Sequence, residues 1–282
     1  MSLSNKDHHK IGVLTMVKYS GGLMNQLNRI TNCLSDMKDQ NVLVLVVHGF
    51  KPDIFDNNTN SLSTVIDISA TNHLLKQAGF PILAEKITSP LPRIETNSWK
   101  YLPTLSGEDF HLMKLWKPSA NAMRLAESRA PKRPFDTFGL RFGVDEISHY
   151  VCGIGGRDYF NLLDSDSDSL HRFESWASST QGVATLNKHV DKALQCIDNH
   201  FDGSKPVYIC TAVGKDARHA SMEPYVEKIV AARPFLIWDK SAPDHRREVC
   251  AMVDVCVGIK AGKHECFPAG STLNCFINTL RP

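Results

Sequence analysis

IGVLTMVKYSGGLMNQLNRI, from Ile11 to Ile30, is the stretch that decides the fold. Ile11 to Val17 is an apolar run of strand length, and Tyr19-Ser20-Gly21-Gly22 makes a turn. Leu23, Leu27, Ile30 and, just beyond, Leu34 then recur at helical spacing. The next apolar run, VLVLVV (Val42 to Val47), has no polar alternation, as expected for a strand in the middle of a parallel sheet. Strand, helix and strand in this order predict a parallel sheet with crossover helices. STVIDIS (Ser63 to Ser69) is expected as a third strand, and Thr71 to Ala78 as a short helix ended by Gly79.

The second half repeats the alternation. Pro90, Pro92 and Pro103 interrupt the stretch from Lys86 to Lys117, a helix is expected from Asn121 to Ala130, and APKRP (Ala130 to Pro134) breaks the chain. DSDSDS (Asp164 to Ser169) reads as a solvated loop without the glycine and terminal glutamate of a calcium loop. A helix is expected from Thr185 to His200, a buried strand in PVYICTAV from Pro206, and a helix from Tyr225 to Ala232. PFLIWD reads as a strand, Arg246 to Val253 as a helix, and a last helix starts near Ser271. The economical organisation is two α/β domains, residues 1–130 and 131–282.

Composition excludes several classes. The 282 residues are 42% hydrophobic, enough for a proper core, and 32 Lys+Arg against 30 Asp+Glu give a net charge of +2. That balance disfavours nucleic acid as the principal partner. The longest apolar run, Val42 to Val47, is far short of the ~20 residues of a membrane helix. MSLSNKDHHK lacks the apolar core of a secretory signal, so the sequon at Asn57 is not expected to be used. The 8 cysteines form no CxxC pair and several sit in apolar runs, which predicts reduced thiols in a cytoplasmic or nuclear protein.

Three motifs carry chemistry. In Ser20-Gly21-Gly22-Leu23-Met24-Asn25-Gln26, paired glycines let a ligand approach the backbone, and the helix start offers free N–H groups to an anion. The loop is neither GxGxxG nor a Walker loop, and by itself it is also compatible with a plain tight turn. In Phe138-Gly139-Leu140-Arg141-Phe142-Gly143-Val144-Asp145, a strand end presents a guanidinium suited to bidentate phosphate binding. A surface Arg141–Asp145 ion pair is the alternative. The third runs from Asp254-Val-Cys-Val-Gly-Ile, expected as a short strand, to Cys266-Phe-Pro-Ala-Gly270-Ser271-Thr272-Leu273. There Ser-Thr opens a helix, as a phosphate-binding N-cap or an ordinary one. Gly153-Ile154-Gly155-Gly156 lacks the unit a dinucleotide loop needs, and His264-x-Cys266 and His8-His9 lack partners at metal-ligand spacing.

The order and spacing of these islands resemble the fucosyltransferase superfamily, most closely its protein O-fucosyltransferase branch. That family opens with GG-x-x-NQ, matched by GGLMNQLNRI. It carries His-Leu-Arg-x-Gly-x-Asp at mid-chain, matched from Leu140 to Asp145, and a PVYIATD strand similar to PVYICTA. An Asp-led strand and Ser-Ser/Thr-Phe follow near its end, where Asp254 and Ser271-Thr272-Leu273 stand here, and the closing INTLRP is similar too.

The resemblance implies a GT-B-like architecture, two Rossmann-like domains facing a cleft, with the acceptor side on the first domain and GDP-fucose mostly on the second. It implies metal-independent, inverting transfer of fucose to a hydroxyl of a protein or glycan, with no cofactor. Arg141 and Asn25 become the catalytic residues. Gly21, Gly22, Arg141, Asp145, Asp254, Ser271 and Thr272 become the donor-binding set. The chain departs from the pattern at Gly139 (family His), Ala212 (Asp) and Leu273 (aromatic), all at donor-contacting positions. Those departures raise the alternative of a non-catalytic nucleotide-sugar or glycan-binding module. Related proteins are often lumenal, whereas this sequence shows no signal.

Overall fold

The computed structural model describes residues 9–16, 22–50, 62–88, 90–101, 112–144, 146–147, 167–215, 217–240, 247–269 and 271–281. Gly21, Asp145, the Gly153 to Gly156 loop, the Asn57 sequon and Asp164 to Asp166 lie outside them. The chain divides into two compact units, Met1–Met123 and Arg124–Pro282.

The first unit holds β1 (Lys10–Thr15), β2 (Val42–His48), β3 (Ile82–Ala84) and β4 (Arg93–Asn97) in the parallel order β3-β2-β1-β4. Helix α1 (Leu23–Lys38) makes the first crossover and α2 (Ile68–Gln77) the second. Ile11, Val13 and Val46 pack on one face of the sheet with Ile87 and Leu91. Leu23, Leu27, Ile30 and Leu34 of α1 are buried at the spacing anticipated for them, and Met37 continues the buried stripe.

STVIDIS is not a strand. Leu62–Thr64 is a single 3-10 turn, Ile66 makes one antiparallel bridge to Pro118, and α2 begins at Ile68. The side chain of Asp67 accepts from the Ala70 N–H at 2.9 Å, so a helix cap stands inside the stretch expected as a strand. The third strand is the shorter Ile82–Ala84, aligned with Val44 to Val46 of β2. As expected, α2 is followed by Gly79, at φ +76.

The second unit repeats the order. Strands β5 (Asp136–Leu140), β6 (Val207–Cys210), β7 (Leu236–Ile237) and β8 (His264–Phe267) lie parallel as β7-β6-β5-β8. Helix α3 (Ala120–Arg129) runs through the division between the units. It is followed by α4 (Ser167–Ser178), α5 (Thr180–His200), α6 (Glu223–Ala231), α7 (Arg247–Lys260) and α8 (Thr272–Leu280). Leu186, Val190, Ala193 and Ile197 of α5 join Phe138, Leu140, Val207 and Ile209 of the sheet in one core.

Two expectations fail here. Ser167 to Ser169 open α4 rather than prolong a loop. The Asp254 run is the interior of α7, not a strand, because a continuous apolar stretch of this length fits a buried helix equally well. The strand that precedes Ser271 is His264–Phe267. Among the described residues no helix is long and apolar enough to cross a membrane.

Candidate functional site

In each sheet the order reverses beside one internal strand, at β1/β4 and at β5/β8. Ligands of open parallel sheets bind outside the carboxyl ends of the strands at such a switch point.

In the second unit the expected residues converge there. The Arg141 N–H donates to the Phe267 carbonyl at 3.0 Å, extending the β5/β8 ladder to the residue that carries the guanidinium. After Phe267 the chain passes Pro268 and Ala269 and enters α8, with Ser271 at its N-cap. The Ser271 side chain makes no capping bond and is 4% exposed. The first turn of α8, from Thr272 to Asn274, is thus delivered to the strand ends that bear Arg141. Arg141 pairs with Glu146, Nε to Oε1 at 3.3 Å, and Glu146 Oε2 accepts from the Gly143 N–H at 2.8 Å. The described acidic partner of Arg141 is therefore Glu146, one residue beyond the Asp145 weighed from sequence.

Behind this edge lie groups that the motifs did not reveal. Thr137 Oγ1 is 2.9 Å from His264 Nδ1, and His264 Nε2 is 3.0 Å from Asn274 Oδ1. Burial brings the His264 imidazole down to about 4, so the ring is neutral. The amide of Asn274 lies on Gly139: a Cβ at that glycine would come 2.1 Å from Oδ1. His189 of α5 sits between Phe142 and Phe267, with ring centroids 5.0 and 4.9 Å away. Burial lowers it too, to about 4, and its buried Nε2 has no hydrogen bond among the described residues. A histidine on the apolar face of a helix was the available signal for His189. His264 stood out in the sequence only beside Cys266, without partners at metal-ligand spacing, and nothing local marked Asn274.

Asp254 has a different neighbourhood. Its Oδ1 is 2.5 Å from Lys215 Nζ, with side-chain exposures of 4% and 2%. Burial raises the Asp254 carboxyl against the pull of Lys215. Burial alone would lower Lys215, and Asp254 more than reverses this. Tyr208 and the Arg129–Asp239 pair complete the buried charge system. Lys215 closes the loop after β6, three residues past Ala212, and was missed because a lysine in a loop reads as solvated.

In the first unit Gly22 is the N-cap of α1 and, lacking a side chain, makes no side-chain cap. Asn25 is half-buried in the first turn, beside the fully buried Gln26. Further along, Arg29 donates to the Ser98 carbonyl at the end of β4 and lies 5.6 Å from the ring centroid of Trp99.

The two parallel sheets with their helices form an α/β fold that matches solved structures of the GT-B class. No protein-family model matches the chain, and no curated protein matches it in sequence. Solved fucosyltransferase structures share the fold. POFUT1 in complex with GDP-fucose superposes with a TM-score of 0.56 at 10% identity, covering 98% of this chain and 95% of that one. POFUT1 in complex with GDP gives 0.54 at 12%, with the same coverage. The NodZ alpha-1,6-fucosyltransferase co-crystallized with GDP gives 0.51 at 12%, covering 99% and 94%.

Proposed function

We propose that the chain is a GDP-sugar glycosyltransferase whose donor diphosphate binds between Arg141 and the first turn of α8. The observation that carries this reading is the bond from the Arg141 N–H to Phe267, which joins the guanidinium-bearing end of β5 to the strand leading into Ser271 and Thr272. GDP-fucose is the donor favoured by the sequence resemblance, and neighbours of the same fold bound to GDP and GDP-fucose support it.

As fucose leaves through an oxocarbenium-like state, negative charge grows on the diphosphate, and stabilising it is the main catalytic task. Arg141 offers a planar fork to two phosphate oxygens, and the free N–H groups of α8 add a fixed partial positive charge. These groups act without an obligatory metal. Inverting attack comes from a hydroxyl of a protein or glycan. The sequence resemblance adds Asn25 as a catalytic residue and Gly21, Gly22 and Asp145 as donor-binding residues. Asp254 serves the same side indirectly, by holding Lys215 and the loop after β6.

A second reading, a nucleotide-sugar or glycan-binding module without catalysis, is favoured by Gly139. Where the resemblance places a donor-contacting histidine, Asn274 already fills the space. Thermal shift against GDP, GDP-fucose, UDP and ADP separates the two. A ligand at 100 times its Kd stabilises by about 2.7 kcal/mol. Stabilisation by GDP together with fucose transfer supports the enzyme, and stabilisation without transfer or hydrolysis supports the module. Arg141→Lys is expected to lose most turnover, since a point charge cannot reproduce the bidentate geometry. Wild-type turnover in that variant would remove Arg141 from the mechanism.

A further inference from the structure

We propose that Asn274 is a phosphate-contacting residue of the second unit, its side-chain N–H group adding to the backbone donors of α8 at the anion held by Arg141. The inference rests on the donor site proposed above and assigns it a residue that no motif marks.

Three observations carry it. First, residues alternate along β5, so Thr137 and Gly139 share a face and Arg141 continues the same row one step beyond the strand. That row meets Thr137 bonded to His264, Gly139 covered by Asn274, and then Arg141. Asn274 therefore covers the position two residues before Arg141 in the same row of the sheet. Second, Asn274 belongs to the first turn of α8, where unpaired N–H groups collect. Third, its Oδ1 is engaged by His264 Nε2, whereas Nδ2 makes no hydrogen bond to any described residue although Asn274 is only 3% exposed.

The position of Oδ1 beside His264 Nε2 fixes the roles along the hydrogen-bond chain. A neutral imidazole has one donor and one acceptor. With Oδ1 facing the ring, His264 Nε2–H donates to Oδ1 at 3.0 Å and Nδ1 accepts from the Thr137 hydroxyl at 2.9 Å. That is the shorter of the hydroxyl's two contacts, the Lys263 carbonyl being 3.4 Å away, and the two N–H bonds of Nδ2 remain for a ligand. Gly139 belongs to the same device, because any Cβ there would displace the amide.

The test is Asn274→Asp. A carboxylate oxygen still accepts from His264 Nε2, and an acid in the first turn of a helix is favourable, so the melting temperature is expected to hold or rise. The donor, however, becomes a negative charge facing the anion. Isothermal titration with GDP and with inorganic pyrophosphate is expected to show a loss of about tenfold or more, the scale of a hydrogen bond to a charged group. An affinity within about twofold of wild type at unchanged melting temperature overturns the role of Asn274 and leaves the donor site standing. If the wild-type chain binds neither GDP nor pyrophosphate, the donor site itself fails and the inference falls with it. Should the aspartate variant not fold, Asn274→Ala, which removes Nδ2 and leaves a small void over Gly139, is judged by the same twofold and tenfold limits.

Discussion

An internal strand of each sheet carries a glycine on which a helix rests a side chain, and the two side chains differ in kind. At Gly12 in β1 the neighbour is Met37, whose Sδ would lie 2.2 Å from an added Cβ; at Gly139 in β5 it is the Asn274 amide at 2.1 Å. Met37 comes from the last turn of α1, and Asn274 from the first turn of α8. A crossover helix runs back against its strand, so its C-terminal turn covers the amino end of the sheet and an N-terminal turn arrives at the carboxyl end. One backbone device thus serves packing at one end and places a donor at the other. The lesson is that strand order alone does not make a site. The polarity of what the helix delivers to the strand ends does.

Buried charge separates the halves further, and removing it should have the largest effect. Arg29 in the first unit donates to the Ser98 carbonyl and leaves its buried Nε without a partner among the described residues, whereas Lys215 in the second pairs with the Asp254 carboxylate. Lys215→Met leaves that carboxylate buried without its direct ion-pair partner, and should cost about 3–5 kcal/mol in urea unfolding. Arg29→Met strands only a carbonyl and should cost about 1–3 kcal/mol. Adding Asp254→Leu to Lys215→Met should recover much of the loss. Equal costs for the two single variants would erase the distinction.

Acid should find the second unit next. His189 and His264 are lowered from 6.5 to about 4 in the folded chain by burial. Below about pH 6.5 the unfolded chain binds these protons and the folded one resists them. Stability present above that pH is therefore lost as pH falls toward 4, by up to about 3 kcal/mol for each ring. Comparing urea midpoints at pH 7 and pH 4.5 checks this: His189→Phe together with His264→Gln should flatten the loss, and parallel curves would remove both rings from the account.

The glycines sharpen the comparison with the smallest effects. Gly12→Ala presses on a flexible thioether and Gly139→Ala on a hydrogen-bonded amide; each should cost about 1–3 kcal/mol as overpacking. Gly139→Ala alone should also weaken GDP binding. Equal behaviour of the two variants toward GDP would mean that the amide has no part in the site.

From the residues themselves came what local physics controls. The start of α1 after Gly22, the apolar periods of α1 and α5, the fully buried VYIC strand, the stop at Gly79 and the helix after Ser271 all follow from side-chain spacing and capping. So does the α/β alternation within each unit. Tertiary structure decided what depends on partners far along the chain. Ile82–Ala84 and His264–Phe267 are too short for a period to announce them, and Asp254 could belong to a buried strand or a buried helix until packing chose. The same holds for the contacts that shape the site. Thr137 meets His264 across 127 positions, and Lys215 meets Asp254 across 39. Which polar groups are buried together, and so which must satisfy one another, is a property of the packed chain, because desolvation demands a partner without specifying where in the sequence it lies.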